Sequence, residues 1–206
     1  MKITITDGNT KLGKVHNISL PPGPTGTCRA DAPCAKRCYA MKSWRMYPDT
    51  REAWQANLDA WNTDPMGYME HIAGFCATHR VERFRWHVAG DIPSTVYHRG
   101  MCLVAECNPE TRFLAFTKNE NIVDLKRPEN LRIIFSMWPG LKVNPVWLES
   151  RVPMAWLQPA TADGAAYETL CNEVTEGAAM PCSGHCDDCF MCWYLEPGMH
   201  VMMKEH

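Results

Sequence analysis

The sequence predicts an α/β protein built on a parallel sheet, and three observations carry the prediction. Short apolar runs alternate with helical patterns between residues 49 and 175, the signature of βαβ units. Four of the runs end in polar or aromatic side chains, as strands do whose carboxyl ends carry chemistry. The chain has 206 residues, 46% hydrophobic and 21% charged, enough to bury a full core. It reads as a single domain, 1–206, with three parts: a first strand and a cysteine-rich loop (1–48), the βα units (49–175) and a cysteine-rich C-terminal segment (176–206).

The elements follow in order. A strand is expected over 15–20, and the first cysteine loop comes directly after it. A helix is expected over 50–61, with Asp49 as its cap, Glu52 three positions on, and Trp54, Leu58 and Trp61 sharing a face. Another starts at Pro65 after Asp64 and carries Met69, Ile72 and Cys76 on one side. Strands are expected over 83–88, 112–117, 131–136 and 154–158. Helices are expected after Ser94 and Asp163, with shorter ones near Asn121 and Pro145. The period of two places Phe84, Trp86 and Val88 on one face and Arg85 and His87 on the other. With the first set under helices, Arg85 and His87 face the interior. At the strand ends stand His87, Gly90 and Asp91, then Thr117 and Lys118, then Ser136 and Trp138, then Leu157, Gln158 and Pro159. Asp91 has a second reading as the cap of the helix near Ser94.

Charge and termini narrow the class. Lys and Arg number 21 against 23 Asp and Glu, a net charge of −2. A generic nucleic-acid binder is usually more basic, so net charge does not indicate that partner. Met41–Tyr47 interleaves basic and aromatic residues, which suits either a stacking platform or a loop packed by its own rings. No apolar run approaches about 18 residues, so no membrane span is expected. The opening residues lack the apolar core of a signal peptide, and eleven cysteines cannot all pair within one chain. The expectation is a cytoplasmic protein with reduced thiols.

The thiols are unevenly spread. Cys28, Cys34 and Cys38 lie in the loop after the first strand, and Cys182, Cys186, Cys189 and Cys192 lie within eleven residues near the other end. Cys76, Cys102, Cys107 and Cys171 fall in helical stretches and read as small buried hydrophobes. A zinc site usually draws its ligands from two knuckles a dozen or more residues apart. The terminal run, spaced x3, x2 and x2, looks instead like an iron–sulfur run, close to the ferredoxin pattern C-x2-C-x2-C-x3-C read backwards. Zinc and unligated redox thiols are the alternatives. The three thiols of the first loop would leave one iron open to a small molecule or to a fourth ligand. Arg29, Lys36 and Arg37 beside them either offset the cluster's charge or are ordinary solvated charges.

Two resemblances follow from these residues. Cys28, Cys34 and Cys38 after the first strand, the ending Cys38-Tyr39-Ala40, and Gly90-Asp91 at the end of the second strand resemble the radical S-adenosylmethionine superfamily. That resemblance implies a partial (β/α) barrel, a 4Fe–4S cluster with an open iron, and S-adenosylmethionine as its ligand. The spacing here is x5 then x3, where the superfamily has x3 then x2, and Arg37 holds the place of an aromatic residue. The second resemblance is to a phage family, gene product 88-like. It rests on the loop ending in Cys38-Tyr39-Ala40, the strand ending at Gly90-Asp91, Phe116-Thr117-Lys118, and the run closing in Cys192-Trp193. It implies a viral protein that contains iron and sulfur.

The leading expectation is thus one or two 4Fe–4S clusters, with redox or radical-type chemistry at the carboxyl face of the sheet. Asp91, His87 and Lys118 are its candidate catalytic residues. Gly90, Asp91, Thr117 and Tyr39 are candidate contacts for a cofactor such as S-adenosylmethionine. The partners would be a small molecule and an electron donor. Two other classes stay open: a non-catalytic iron–sulfur electron carrier or binding protein, and a protein stapled by zinc.

Overall fold

Alternating apolar runs do form a parallel sheet. The computed structural model describes residues 2–9, 12–122, 125–141, 151–158 and 165–204. Among them, seven strands lie parallel in the order β1-β2-β3-β4-β5-β7-β6. They are β1 (His16–Ile18), β2 (Arg83–Trp86), β3 (Arg112–Thr117), β4 (Leu131–Ser136), β5 (Met154–Leu157), β6 (Met180–Pro181) and β7 (His200–Met203). The parallel α/β sheet is as expected, and it is open: no pairing joins the edges β1 and β6 among the described residues. The outer edge of β1 takes one antiparallel bridge from Thr6, whose N–H and C=O both bond Asn17. The bridge satisfies edge groups that would otherwise invite another chain.

The helices are α1 (Tyr39–Met46), α2 (Pro48–Thr63), α3 (Pro65–Thr78), α4 (Thr95–Cys107), α5 (Ala165–Thr175) and the single turn α6 (Cys186–Cys189). Side-chain caps start two of them. Asp64 accepts from the Gly67 N–H at 2.9 Å with Pro65 next to it, and Ser94 accepts from the Tyr97 N–H at 3.1 Å. Asp49 does not cap α2. Pro48 takes the first helical position, which moves the start upstream and leaves Asp49 in the first turn. Asp91 does not cap α4, because Ser94 does. The stretch 41–47 is not a loop: α1 covers most of it, and Trp44 stacks on Trp54 of α2 at 6.2 Å. The helix expected near Pro145 lies outside the described residues, and the one near Asn121 is a 3-10 turn, Glu120–Ile122.

The strand alternation sorts residues as the period of two requires. Phe84, Trp86, Phe113, Ala115 and Ile133 are buried under Tyr68 and Ile72 of α3 and Tyr97 and Met101 of α4. Further along the same face, Phe135, Met154 and Trp156 meet Tyr167 and Cys171 of α5. The other face buries Leu114, Ile134, Ala155 and Val201, and what covers it is the C-terminal segment, through Trp193, Leu195, Cys182, Cys186 and Cys192. The sheet therefore has helices on one side and the terminal cysteine run on the other. Neither β6 nor β7 is among the expected strands. They frame the cysteine run, and β7 inserts between β5 and β6.

His87 breaks the alternation. β2 ends at Trp86, and His87 has φ +53°, a left-handed conformation that few non-glycine residues adopt. The inversion turns the His87 ring toward the helices, where Nε2 lies 3.0 Å from the Tyr97 hydroxyl, itself 3.0 Å from the Tyr68 hydroxyl. It sends Val88 to the opposite face, against the terminal segment. The expected placements of His87 and Val88 are both reversed, while Arg85 lies on the non-helical face as expected. Among the helical thiols, Cys76 and Cys171 are buried as expected, whereas Cys102 is half-buried and Cys107 is exposed at the end of α4.

Candidate functional site

The first site forms where the chain leaves β1. The Gly26 N–H bonds the Gly23 carbonyl at 3.0 Å and the Thr27 N–H bonds the Pro21 carbonyl at 2.9 Å, folding the proline-rich loop back on itself. Cys28 follows directly. Cys34 lies on a 3-10 turn, Pro33–Arg37, and Cys38 immediately precedes α1. Cys28, Cys34 and Cys38 lie near enough to one another to interact by charge. Burial is the main cause that pushes the Cys28 thiol up to about 11. Burial also raises Cys34, against the pull of the nearby Lys118 ammonium.

The loop after β2 locks onto this one. The Thr27 hydroxyl donates to the Pro21 carbonyl at 3.1 Å and accepts from the Asp91 N–H at 2.9 Å. Gly90, at φ +82°, lets the two backbones approach. The Asp91 carboxylate is buried and engaged at both oxygens. Oδ1 accepts from the Thr117 hydroxyl at 2.6 Å and the Ile92 N–H at 2.7 Å, and Oδ2 from the Lys118 N–H at 2.9 Å. Burial raises its pKa and those bonds oppose the rise. Asp91 thus ties the ends of β2 and β3 together beside the three thiols. Lys118 reaches the Ser136 hydroxyl at 3.0 Å and lies 5.7 Å from the centre of the Trp138 ring. Arg29 donates to the Lys118 carbonyl and to Glu120, each at 3.2 Å, and pairs with Asp31 at 2.6 Å.

Tyr39 closes one side. Its ring is largely exposed, but its hydroxyl is tucked inward and donates to the Val88 carbonyl. Burial raises its pKa most. The Arg85 guanidinium lowers it, and Cys38, Cys28 and Cys34 raise it. Of the expected site residues, the three cysteines, Gly90, Asp91, Thr117, Lys118 and Tyr39 come together. His87 does not join them. Its ring is buried on the helical side, where desolvation and then Arg85 depress its pKa to about 3, so it is a neutral imidazole. Ser136 and Trp138 take part through Lys118, a placement their strand-end position hints at.

The second site lies on the sheet face itself. Cys186 and Cys189 are on α6. Phe190 then turns the chain at φ +48°, and Cys192 lies on a 3-10 turn, Met191–Trp193. Cys182 is fixed by its N–H to the Met202 carbonyl at 2.7 Å, and Trp193 Nε1 donates to the Phe84 carbonyl at 3.4 Å. Burial pushes the Cys192 thiol up to about 12. Arg85 pulls it down, and Cys182, Cys186 and Cys189 raise it. No disulfide joins any of the eleven cysteines. Under this segment the sheet presents arginines in register: Arg83 beside Arg112, and Arg85 in the row of Leu114 and Arg132. Their guanidinium groups lie over rings, Arg83 at 3.8 Å from the centre of Phe190, Arg85 at 4.3 Å from Phe116 and Arg112 at 4.5 Å from Tyr194. Sequence alternation places Arg85 on this face, but nothing local marks it as a neighbour of thiols about 100 residues away.

Four thiols come from one short segment, and the cationic wall beneath them has buried Nε atoms on Arg83, Arg85 and Arg132 without hydrogen-bond partners. Among the described residues, no group of three or more His, Cys, Asp or Glu side chains is placed to hold a metal ion. No helix among them is long and apolar enough to cross a membrane.

Fold and site define a class: an α/β protein whose open parallel sheet carries one three-thiol loop at its carboxyl edge and a four-thiol segment across its non-helical face. The model of one family, gene product 88, matches residues 2–194, and the chain belongs to that family. The match supports the second of the two resemblances and lends none to the radical S-adenosylmethionine superfamily. No curated protein and no solved structure gives a significant match.

Proposed function

We propose that this is an iron–sulfur protein of phage origin that works in the host cytoplasm. Cys182, Cys186, Cys189 and Cys192 would hold a 4Fe–4S cluster, and Cys28, Cys34 and Cys38 a second site with an open coordination position. The observation that carries the reading is the terminal segment: four thiols within eleven residues, joined by no disulfide, three of them packed on a sheet face where the Arg85 Nε is buried without a hydrogen-bond partner. A cluster there would supply one-electron chemistry. The chain's own residues divide the other tasks. Asp91, through Thr117 and the Lys118 N–H, holds the three-thiol loop against the strand ends. Lys118 offers positive charge to an anionic small molecule at the open position. Tyr39 shields one flank. His87, neutral and turned toward the helices, supports α4 and is not part of the reaction.

Anaerobic purification followed by iron, acid-labile sulfide and zinc determination tests the reading. Brown protein with iron and sulfide is expected. Cys189→Ala should lose the terminal cluster's share, and Cys38→Ala the share of the loop. Colourless protein with stoichiometric zinc overturns it in favour of a zinc staple. Release of 5′-deoxyadenosine from S-adenosylmethionine by reduced protein would make the open site a radical enzyme. Its absence would leave an electron carrier or another redox enzyme.

A further inference from the structure

We propose that Arg85 is the counter-charge of the cluster held by the four C-terminal thiols and that it sets the reduction potential of that cluster. The inference rests on the iron–sulfur reading above and adds to it a named residue and a measurable property.

The placement comes from the sheet. Arg85 is the third residue of β2, on the face opposite the helices, and its register partner is Leu114. Leu114, Phe116 and Val88 pack with Cys182, Cys186 and Cys192, so this face is the floor beneath the thiols. Phe116 holds the guanidinium flat at 4.3 Å, and Nε is buried without a hydrogen-bond partner. A buried guanidinium N–H left unsatisfied is costly unless something accepts from it. A thiolate or a cluster sulfide is such an acceptor. The same guanidinium also acts on Tyr39, beside the other thiol site, and it is the strongest charge acting on Cys192. Arg83 and Arg132 share the face, but Arg83 is drawn off by Phe190 and by Glu82 at 3.2 Å, and Arg132 by the charge of Glu196.

The direction follows from charge. Reduction adds an electron, and a fixed positive charge beside the thiols favours the reduced state; cluster charge is a recognised determinant of potential. The full chain, purified anaerobically as wild type, R85Q and R85K, is titrated with dithionite while the cluster's EPR signal is followed. R85Q should keep its iron and its EPR line shape, while its one-electron reduction equilibrium falls at least about tenfold, a ~59 mV shift to lower potential. R85K, which keeps the charge, should stay closer to wild type than R85Q. Where R85Q does not accumulate, R85M keeps the apolar stem over Phe116 without the charge and is read in the same way. Iron-loaded R85Q or R85M at the wild-type potential overturns the role of Arg85. Wild-type protein without iron and sulfide overturns the cluster itself, so the two failures are distinguishable.

Discussion

Gly90 is where two loops approach too closely for a side chain, and Gly90→Ala measures how firmly they are locked. A Cβ at this position would lie 2.6 Å from Thr27 Oγ1, 2.8 Å from the Leu20 carbonyl oxygen and 3.0 Å from Leu20 Cβ. The hydroxyl can rotate away, but only by giving up the bond it accepts from the Asp91 N–H. The carbonyl belongs to backbone and cannot move alone. Left-handed φ at a residue with a Cβ costs about 1–2 kcal/mol, and the forced contact adds about 1–3 kcal/mol. Gly177 provides the control. It has φ +72°, and a Cβ there would meet nothing within 4 Å, so Gly177→Ala carries the conformational cost alone. Urea unfolding of the two variants should therefore differ by about 1–3 kcal/mol, with Gly90→Ala the less stable. At a slope of about 2 kcal/mol/M, that separates the midpoints by roughly 0.5–1.5 M. Coincident midpoints would refute the claim that this contact holds the cysteine loop to the second strand end.

Three further outcomes follow from buried polar groups and from the division of the thiols. His87 is neutral in the fold, with its pKa depressed to about 3 from 6.5, so the unfolded chain binds a proton that the folded one does not. Its contribution is whole above pH 6.5 and is lost as pH falls toward about 3; His87→Gln should flatten the stability profile over that window, and an unchanged slope would contradict the burial. Asn57 is fully buried and donates to the Ser19 and Thr4 carbonyls while accepting from the Thr4 N–H. Asn57→Ala should cost about 2–4 kcal/mol in thermal or urea unfolding by orphaning these groups, whereas a loss under about 1 kcal/mol would show that water replaces them. Cys76 is buried and its thiol is pushed up to about 12 by burial, while Cys107 is exposed. Cys76→Ser should destabilise by about 1–3 kcal/mol and Cys107→Ser by less than about 0.5 kcal/mol, and neither should change the iron content.

Local signals are reliable where the physics is local. Asp64-Pro65 and Ser94 start α3 and α4 because a cap and a proline act within one turn. The strands over 112–117 and 131–136 have the expected bounds because each is a short apolar run, buried on both faces of the sheet through its middle and bounded by polar residues. β6 and β7 escape sequence reasoning because β6 is only two residues long and β7 lies beyond the cysteine run, with no helical pattern next to it to mark a βα unit; they are strands by virtue of the neighbours they pair with. His87 falls on the unexpected face because alternation assumes extended backbone, and a single residue at φ +53° reverses the faces after it.

The sequence by itself determined the α/β class, the succession of helices and strands, and the grouping of seven thiols into a loop of three and a run of four. Backbone period, caps and thiol spacing are properties of short segments, so they can be read without knowing the fold. Only the tertiary structure decided that the sheet stays open, that the terminal run covers the face opposite the helices, and that Arg85 lies beneath it. Those facts depend on pairings and packing between residues far apart in the chain, such as Trp193 with Phe84, 109 positions away, and no local pattern encodes them.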